Sequence, residues 1–193
     1  MCIRDRGKNR EGDIPALRRL GSELGFTVHV VEPVPGDGDP ISSTRIRKLL
    51  CQGDVREAAR LLGRYPSLAG RVVAGTKRGH RLIVPTANLQ VRAERAIPAD
   101  GVYAAYVVLG DVRYPAVANI GCRPSFEDHT RTVETHILNF DEDIYGYDLV
   151  VEFVERLRPE RRFASVEELV TQIHEDIRVT RELLAAEEGE AKA

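Results

Sequence analysis

Between residues 67 and 158 apolar and polar side chains alternate in five separate runs: LAGRVVAG, GVYAAYVVL, VRYPAVANI, VETHILNF and YDLVVEFVERL. Period-two alternation places every second side chain on one face of an extended strand. Gly, Pro or Asp punctuates the gaps, and no helical-period stretch separates the runs. Several strands joined by turn signals alone predict an antiparallel barrel or sandwich. One amphipathic helix follows, SVEELVTQIHEDIRVTRELL. Ser165 and Glu168 have capping-box spacing, and Val166, Leu169, Ile173 and Ile177 form one face to lie against the sheet. The tail from 187 to 193 is polar and expected to be disordered.

Before Ser67 the texture differs. Ile14, Leu17, Leu20 and Leu24 recur at helical intervals with Gly25 placed to stop the helix. TVHVVEPV then alternates and reads as a strand, so this region resembles a piece of an α/β unit, too small to make a sheet by itself. ISSTRIRKLLCQGD and DVREAARLLG predict two short helices, the second with a capping box at Asp54 and Glu57 and a terminal Gly63. The organisation expected from this change is residues 1–66 as one region and 67–186 as the barrel domain.

Composition narrows the function classes. A net charge of −2 gives no overall basic field, which argues against a general nucleic-acid binder. No apolar run approaches the ~18 residues that span a bilayer. MCIRDRGKNR has no apolar core of a signal peptide. Cys2, Cys51 and Cys122 are widely spaced without a C-x-x-C pattern, so the simplest setting is reduced and cytoplasmic.

The segment RLIVPTANLQV interrupts an apolar run with Pro85, Thr86, Ala87 and Asn88. Proline supplies no backbone donor and does not belong in a central strand. Thr86 and Asn88, two apart, point the same way in extended chain. They make either a turn with local hydrogen bonds or a set of neutral oxygens suited to Mg²⁺ that also holds phosphates and water. Glu134, in VETHILNF, is either an exposed strand carboxylate or a general base on a rigid strand. His136 shares its face and reads as a second candidate base or a satisfied structural histidine. Gly75, Lys77 and Arg78 lie in GTKRGHR, a glycine-bearing basic loop that is either a plain hairpin loop or a phosphate wrapper, and not a Walker loop. Ser42, Ser43 and Thr44 of ISSTRIR can each cap a helix, or with Arg45 they hold an anion at its start.

Together these segments resemble a known family. From about Ser67 to Leu184 the chain is similar to the riboflavin kinase module of prokaryotic bifunctional riboflavin kinase/FMN adenylyltransferase. The matching segments are GRVVAG, PTANL, IPADGVYAAYV, VANIGCRPSF, VETHILNFDEDIYG and VEFVERLRPERRFASVEELVTQIHEDI, in that order. Residues 7–66 resemble the end of the adenylyltransferase module. The resemblance implies a six-stranded antiparallel Greek-key barrel with a C-terminal helix, preceded by an incomplete α/β nucleotidyltransferase remnant. It implies that Thr86 and Asn88 bind Mg²⁺ and the ATP phosphates, and that Glu134 is the catalytic base. Gly75, Lys77 and Arg78 would cover the nucleotide. Arg123, in the loop GCRPSFEDHTRT, would bind ligand on the flavin side. The implied reaction converts riboflavin and ATP into FMN and ADP, with small molecules as the partners and with neither nucleic acid nor membrane involved.

Two departures qualify the match. Ile83 and Val84 stand where the family usually has a glycine and a bulky apolar residue before PTAN, and His80 stands for a usual arginine. A β-branched residue replacing glycine loses freedom in φ and adds bulk. The H-x-G-H-type motif of the adenylyltransferase module does not occur in the sequence, so no FAD synthetase activity is expected of this chain. The alternatives to a kinase are a flavin- or nucleotide-binding barrel with little turnover, and a small Greek-key nucleic-acid binder. The last lacks a basic, aromatic-rich face.

Overall fold

A computed structural model of the chain describes residues 13–32, 34–35, 40–74, 85–91, 95–122 and 131–190. Two compact units divide the chain, residues 1–41 and 42–193. In the first, helix α1 (Ile14–Leu24) begins at Asp13, whose carboxylate accepts the Ala16 N–H at 2.8 Å. It ends at Gly25, whose φ of 76° is left-handed and suits a residue without Cβ. The strand expected over TVHVVEPV is not formed: Thr27–Glu32 belong to no ladder. Alternation alone does not make a strand, because extended backbone needs a neighbour to satisfy its N–H and C=O groups. Among the described residues no sheet accompanies α1, and the α/β remnant expected here is not seen.

The second unit contains α2 (Ser43–Gln52), α3 (Val55–Leu62), six strands and α4 (Val166–Glu190). The strands are β1 (Ser67–Val73), β2 (Ala87–Val91), β3 (Gly101–Leu109), β4 (Val112–Cys122), β5 (Arg131–Ile137) and β6 (Asp148–Arg158). They close into an antiparallel barrel in the order β1-β2-β5-β4-β3-β6. β3, β4 and β5 are successive neighbours and β2 returns beside β5, the Greek-key arrangement expected from the resemblance. Closure leaves no sheet edge exposed.

The alternation read from sequence sorts the faces. Leu68, Val72, Leu89, Ala105, Val107, Ala118, Ile120, Val133, Val151 and Phe153 point into one buried core. Tyr103 and Phe153 meet there edge to face, with ring centroids 5.4 Å apart. Leu50 of α2 and Val55 and Ala58 of α3 join the same cluster. The two short helices are thus part of the compact barrel unit, although their sequences precede the change of texture at Ser67.

The chain between β2 and β3 crosses one end of the barrel and is stapled there. Arg131 donates to the carbonyls of Ile97 and Pro98 and pairs with Asp100. The Tyr103 hydroxyl donates to Ala99 O, and Ala99 N–H donates to Leu50 O. Gly101 follows with φ 154°, and a Cβ there would lie 2.6 Å from the Arg158 carbonyl oxygen.

Helix α4 covers the outer wall at β3 and β4. Its start has the predicted box: Ser165 Oγ accepts the Glu168 N–H, and the Glu168 carboxylate reaches back to the Ala164 N–H. Midway, Asp176 accepts two-pronged hydrogen bonds from Arg158 of β6, with Nη2 to Oδ2 at 2.8 Å and Nε to Oδ1 at 3.0 Å. Near the end Leu184 packs on Ala104, Tyr106 and Val154, while Tyr65 donates to Glu187.

Candidate active site

The end of the barrel opposite the stapled crossing is where β1 ends, β2 begins and β5 ends. Pro85, which has no N–H to give to the ladder, lies just before β2, which starts at Ala87. From Ala87 the ladder to β5 is regular, with Ala87 opposite Thr135, Asn88 opposite Glu134 and Leu89 opposite Val133. On the far side of β5, Asn119 of β4 is opposite the same Glu134. Directly opposed residues share a face and hold their Cβ atoms about 5 Å apart. Asn88, Glu134 and Asn119 therefore form one polar row across three strands. Leu89, Val133, Ala118 and Ile120 occupy the inner face, so the row faces outward.

Two cavities lie nearby, and the second of them is lined by Asn119 and Glu134 of this row. One, of about 250 Å³, opens at the barrel mouth between Val72, Pro85, Thr86, Ile137, Phe140 and Ile144. Three carboxylates, Asp141, Glu142 and Asp143, line its outer part. The other, of about 260 Å³, lies between the outer wall and α4. Its apolar walls include Val102, Val117, Phe163, Leu169, Ile173 and Ile177, and its polar groups include Asn119, Glu134, His136 and Glu160. Thr86 lines both cavities. A polar residue shared by two compartments, with a carboxylate close by, can act on two molecules at once.

The supports of the second cavity are specific. The Asn119 amide donates to Glu160 Oε1 at 3.3 Å. Glu160 lies directly over Gly121, where a Cβ would come within 2.0 Å of its Oε1, so any side chain at 121 would displace that carboxylate. The Arg158–Asp176 pair forms part of the wall, with side chains only 18% and 7% exposed and with Gln172 donating to Asp176 Oδ1 at 2.8 Å. His136 Nδ1 is 2.8 Å from the Pro85 carbonyl oxygen.

Of the residues singled out from sequence, the structure brings together Thr86, Asn88 and Glu134, with Asn88 buried and Thr86 just ahead of β2. Gly75, Lys77, Arg78 and Arg123 lie outside the described residues, as do His80, Ile83 and Val84. In ISSTRIR, Ser42 is the N-cap of α2, accepting the Arg45 N–H at 3.2 Å, and Arg45 pairs with Glu57. Sequence reading missed Asn119, Glu160 and the Arg158–Asp176 pair. The lone amide in the apolar run VANI was a signal for the first. Nothing local marks the others.

Among the described residues no group of three His, Cys, Asp or Glu could hold a metal by itself. Thr86 and Asn88 offer neutral oxygens beside one carboxylate. That suits a hard ion held mainly by substrate phosphates and water rather than by an all-protein cage.

The closed Greek-key barrel thus carries a polar row under its helix, and Thr86 lines two cavities. Comparisons with known proteins identify the family. The family model for riboflavin kinase, or flavokinase, matches residues 62–184. The chain is 42% identical over 180 residues to a bifunctional riboflavin kinase/FMN adenylyltransferase of Pseudomonas fluorescens, covering 93% of this chain and 58% of that protein. It is 38% identical over 177 residues to the protein of that name from Escherichia coli K12, covering 91% and 56%. A crystal structure of a macrolide-efflux protein from Streptococcus pneumoniae superposes with a TM-score of 0.78 at 35% identity, over 92% of this chain and 58% of that one. This chain belongs to the riboflavin kinase family. It spans somewhat more than half the length of these relatives. Among the described residues no helix is long and apolar enough to cross a membrane.

Proposed function

We propose that the barrel unit is an ATP-dependent riboflavin kinase. The observation that carries this reading is the β2–β5 register, which sets Glu134 opposite Asn88, two residues along from Thr86, the residue that lines both cavities among those described. Phosphoryl transfer needs donor and acceptor in line, charge neutralised at the phosphates, and a group to take the acceptor's proton.

In this reading the cavity under α4 holds riboflavin. Its apolar walls suit a flat aromatic ring system, and Glu134 in its lining is the group assigned to the ribityl terminal hydroxyl. The mouth cavity holds ATP. The acidic residues at its outer part repel phosphates, which favours the phosphates lying toward Thr86. The β1–β2 connection leaves and re-enters beside this cavity, and it carries Gly75, Lys77 and Arg78, assigned here to nucleotide binding. Arg123, in the connection between β4 and β5, is assigned to ligand binding on the flavin side. Thr86 and Asn88 would hold Mg²⁺ together with the phosphates, and the ion would supply charge neutralisation there. Glu134 takes the hydroxyl proton, the oxygen forms a bond to the γ-phosphorus, and the bond from that phosphorus to the β–γ bridging oxygen breaks. FMN and ADP leave. A cytoplasmic setting, with ATP and Mg²⁺ at hand, goes with this reading.

The test is to incubate the chain with riboflavin, ATP and Mg²⁺ and separate the flavins by chromatography. FMN with equimolar ADP is expected. Quenched riboflavin fluorescence without FMN would replace the kinase by a binding barrel and direct attention to Ile83, Val84 and His80. FAD in the mixture would overturn the expectation that this chain lacks adenylyl transfer.

A further inference from the structure

His136 stands two residues after Glu134 on the same outward face of β5. The proposed mechanism leaves it without a task. Its Nδ1 is 2.8 Å from the Pro85 carbonyl oxygen. A carbonyl oxygen only accepts, so the contact assigns the proton to Nδ1, and in the neutral ring Nε2 is then the acceptor.

The place of this contact gives it meaning. Ala87 and Thr135 are the last pair of the β2–β5 ladder, and the next positions along are Thr86 and His136. Pro85 brings no N–H, so the backbone cannot repeat its two-bond exchange beyond that point. The imidazole makes the cross-strand bond instead. It holds the carbonyl of the peptide that links Pro85 to Thr86. A peptide unit is planar, so fixing its oxygen also fixes the Thr86 Cα and the direction of the Thr86 N–H. The bond thus acts on Thr86, the one described residue that lines both cavities.

We propose that His136 is a positioning residue for the phosphate side of the site, acting through Nδ1–H on the Pro85 carbonyl, although its ring lies in the wall of the other cavity. The proposal rests on the kinase reading above. It assigns no proton transfer to His136, and it predicts that Mg·nucleotide affinity follows the presence of a donor at the Nδ1 position.

Two amides separate the ring nitrogens. Asn places an N–H where Nδ1 stands, and Gln places one where Nε2 stands. The experiment measures Mg·ADP affinity by calorimetry and riboflavin affinity by fluorescence quenching for wild type, His136→Ala, His136→Asn and His136→Gln. Nitrogen NMR of the ligand-free wild type reports the tautomer. Expected are a protonated Nδ1 and a loss of Mg·ADP affinity of about five- to tenfold in His136→Ala, the size of one hydrogen bond. His136→Asn should recover Mg·ADP binding while His136→Gln does not; riboflavin affinity, whose cavity the ring also lines, should not track this recovery. Recovery by Gln instead of Asn, an Nε2–H tautomer, or weakened riboflavin with unchanged Mg·ADP would each overturn the proposal while leaving the kinase reading intact. A wild-type chain that binds no Mg·ADP and forms no FMN would remove the kinase reading, and the proposal with it.

Discussion

Helices α1 and α3 begin and end alike, yet differ in what they bury. Each starts at an aspartate whose carboxylate accepts an N–H three residues on, and each stops at a left-handed glycine. In α3, Val55, Ala58 and Leu61 are buried. In α1, Ile14, Leu20 and Leu24 remain exposed, Leu24 at 72%. The same contrast holds for strands. GVYAAYVVL becomes β3 because β4 and β6 pair with it, whereas the alternating TVHVVEPV forms no ladder. Helical hydrogen bonds are local, so caps and propensity suffice to shape a helix. A strand and a buried face both need a neighbour.

The contrast predicts that equal truncations will have unequal costs. The largest effect should follow Phe153→Ala, which empties a fully buried site beside Tyr103 and should cost about 4 kcal/mol in denaturant unfolding. Asp176→Ala should cost about 3 kcal/mol, because it leaves the Arg158 guanidinium beside the cavity without its carboxylate. Replacing Arg158 and Asp176 together with Met and Leu should recover most of that loss.

A smaller effect is pH-dependent. Burial, and then the Glu187 carboxylate to which it donates, push the Tyr65 hydroxyl up to about 12 from 10.0. A raised folded value means the neutral hydroxyl is the form the fold favours. This contribution is complete below pH 10 and is lost as pH rises from 10 toward about 12. Tyr65→Phe should flatten that part of the stability–pH curve, read from unfolding midpoints at pH 9 and about pH 11. The smallest effect should be Leu24→Ala, within about 0.5 kcal/mol, since the side chain is already in water. A Leu24→Ala cost near that of Phe153→Ala would show that α1 has a buried face after all.

Much of the barrel was legible because alternation reports a face directly: Val133, Thr135 and Ile137 do point inward and Glu134 and His136 outward. Pro85 correctly marked an interruption, since β2 begins two residues later. The dividing line was less legible. Texture changes at Ser67, but Leu50, Val55 and Ala58 pack into the barrel core, and the compact unit starts at Ser42. Only tertiary packing shows where an amphipathic helix places its apolar face. Within the site, Thr86, Asn88 and Glu134 stood out as residue types. Their meeting did not, because β2 and β5 are neighbours only through the Greek-key return. Asn119 opposite Glu134, and His136 reaching Pro85, follow from the same register and were equally hidden.

The most direct measurement compares Glu134→Gln with wild type for FMN formation and for riboflavin affinity on the same preparations. If Glu134 takes the proton of the attacking hydroxyl, turnover should fall by about 10²- to 10⁴-fold while riboflavin affinity and unfolding midpoint stay near wild type. A variant that turns over within a few fold of wild type would contradict the assignment of Glu134 as the base and, with it, the account of why the register places this carboxylate beside Thr86.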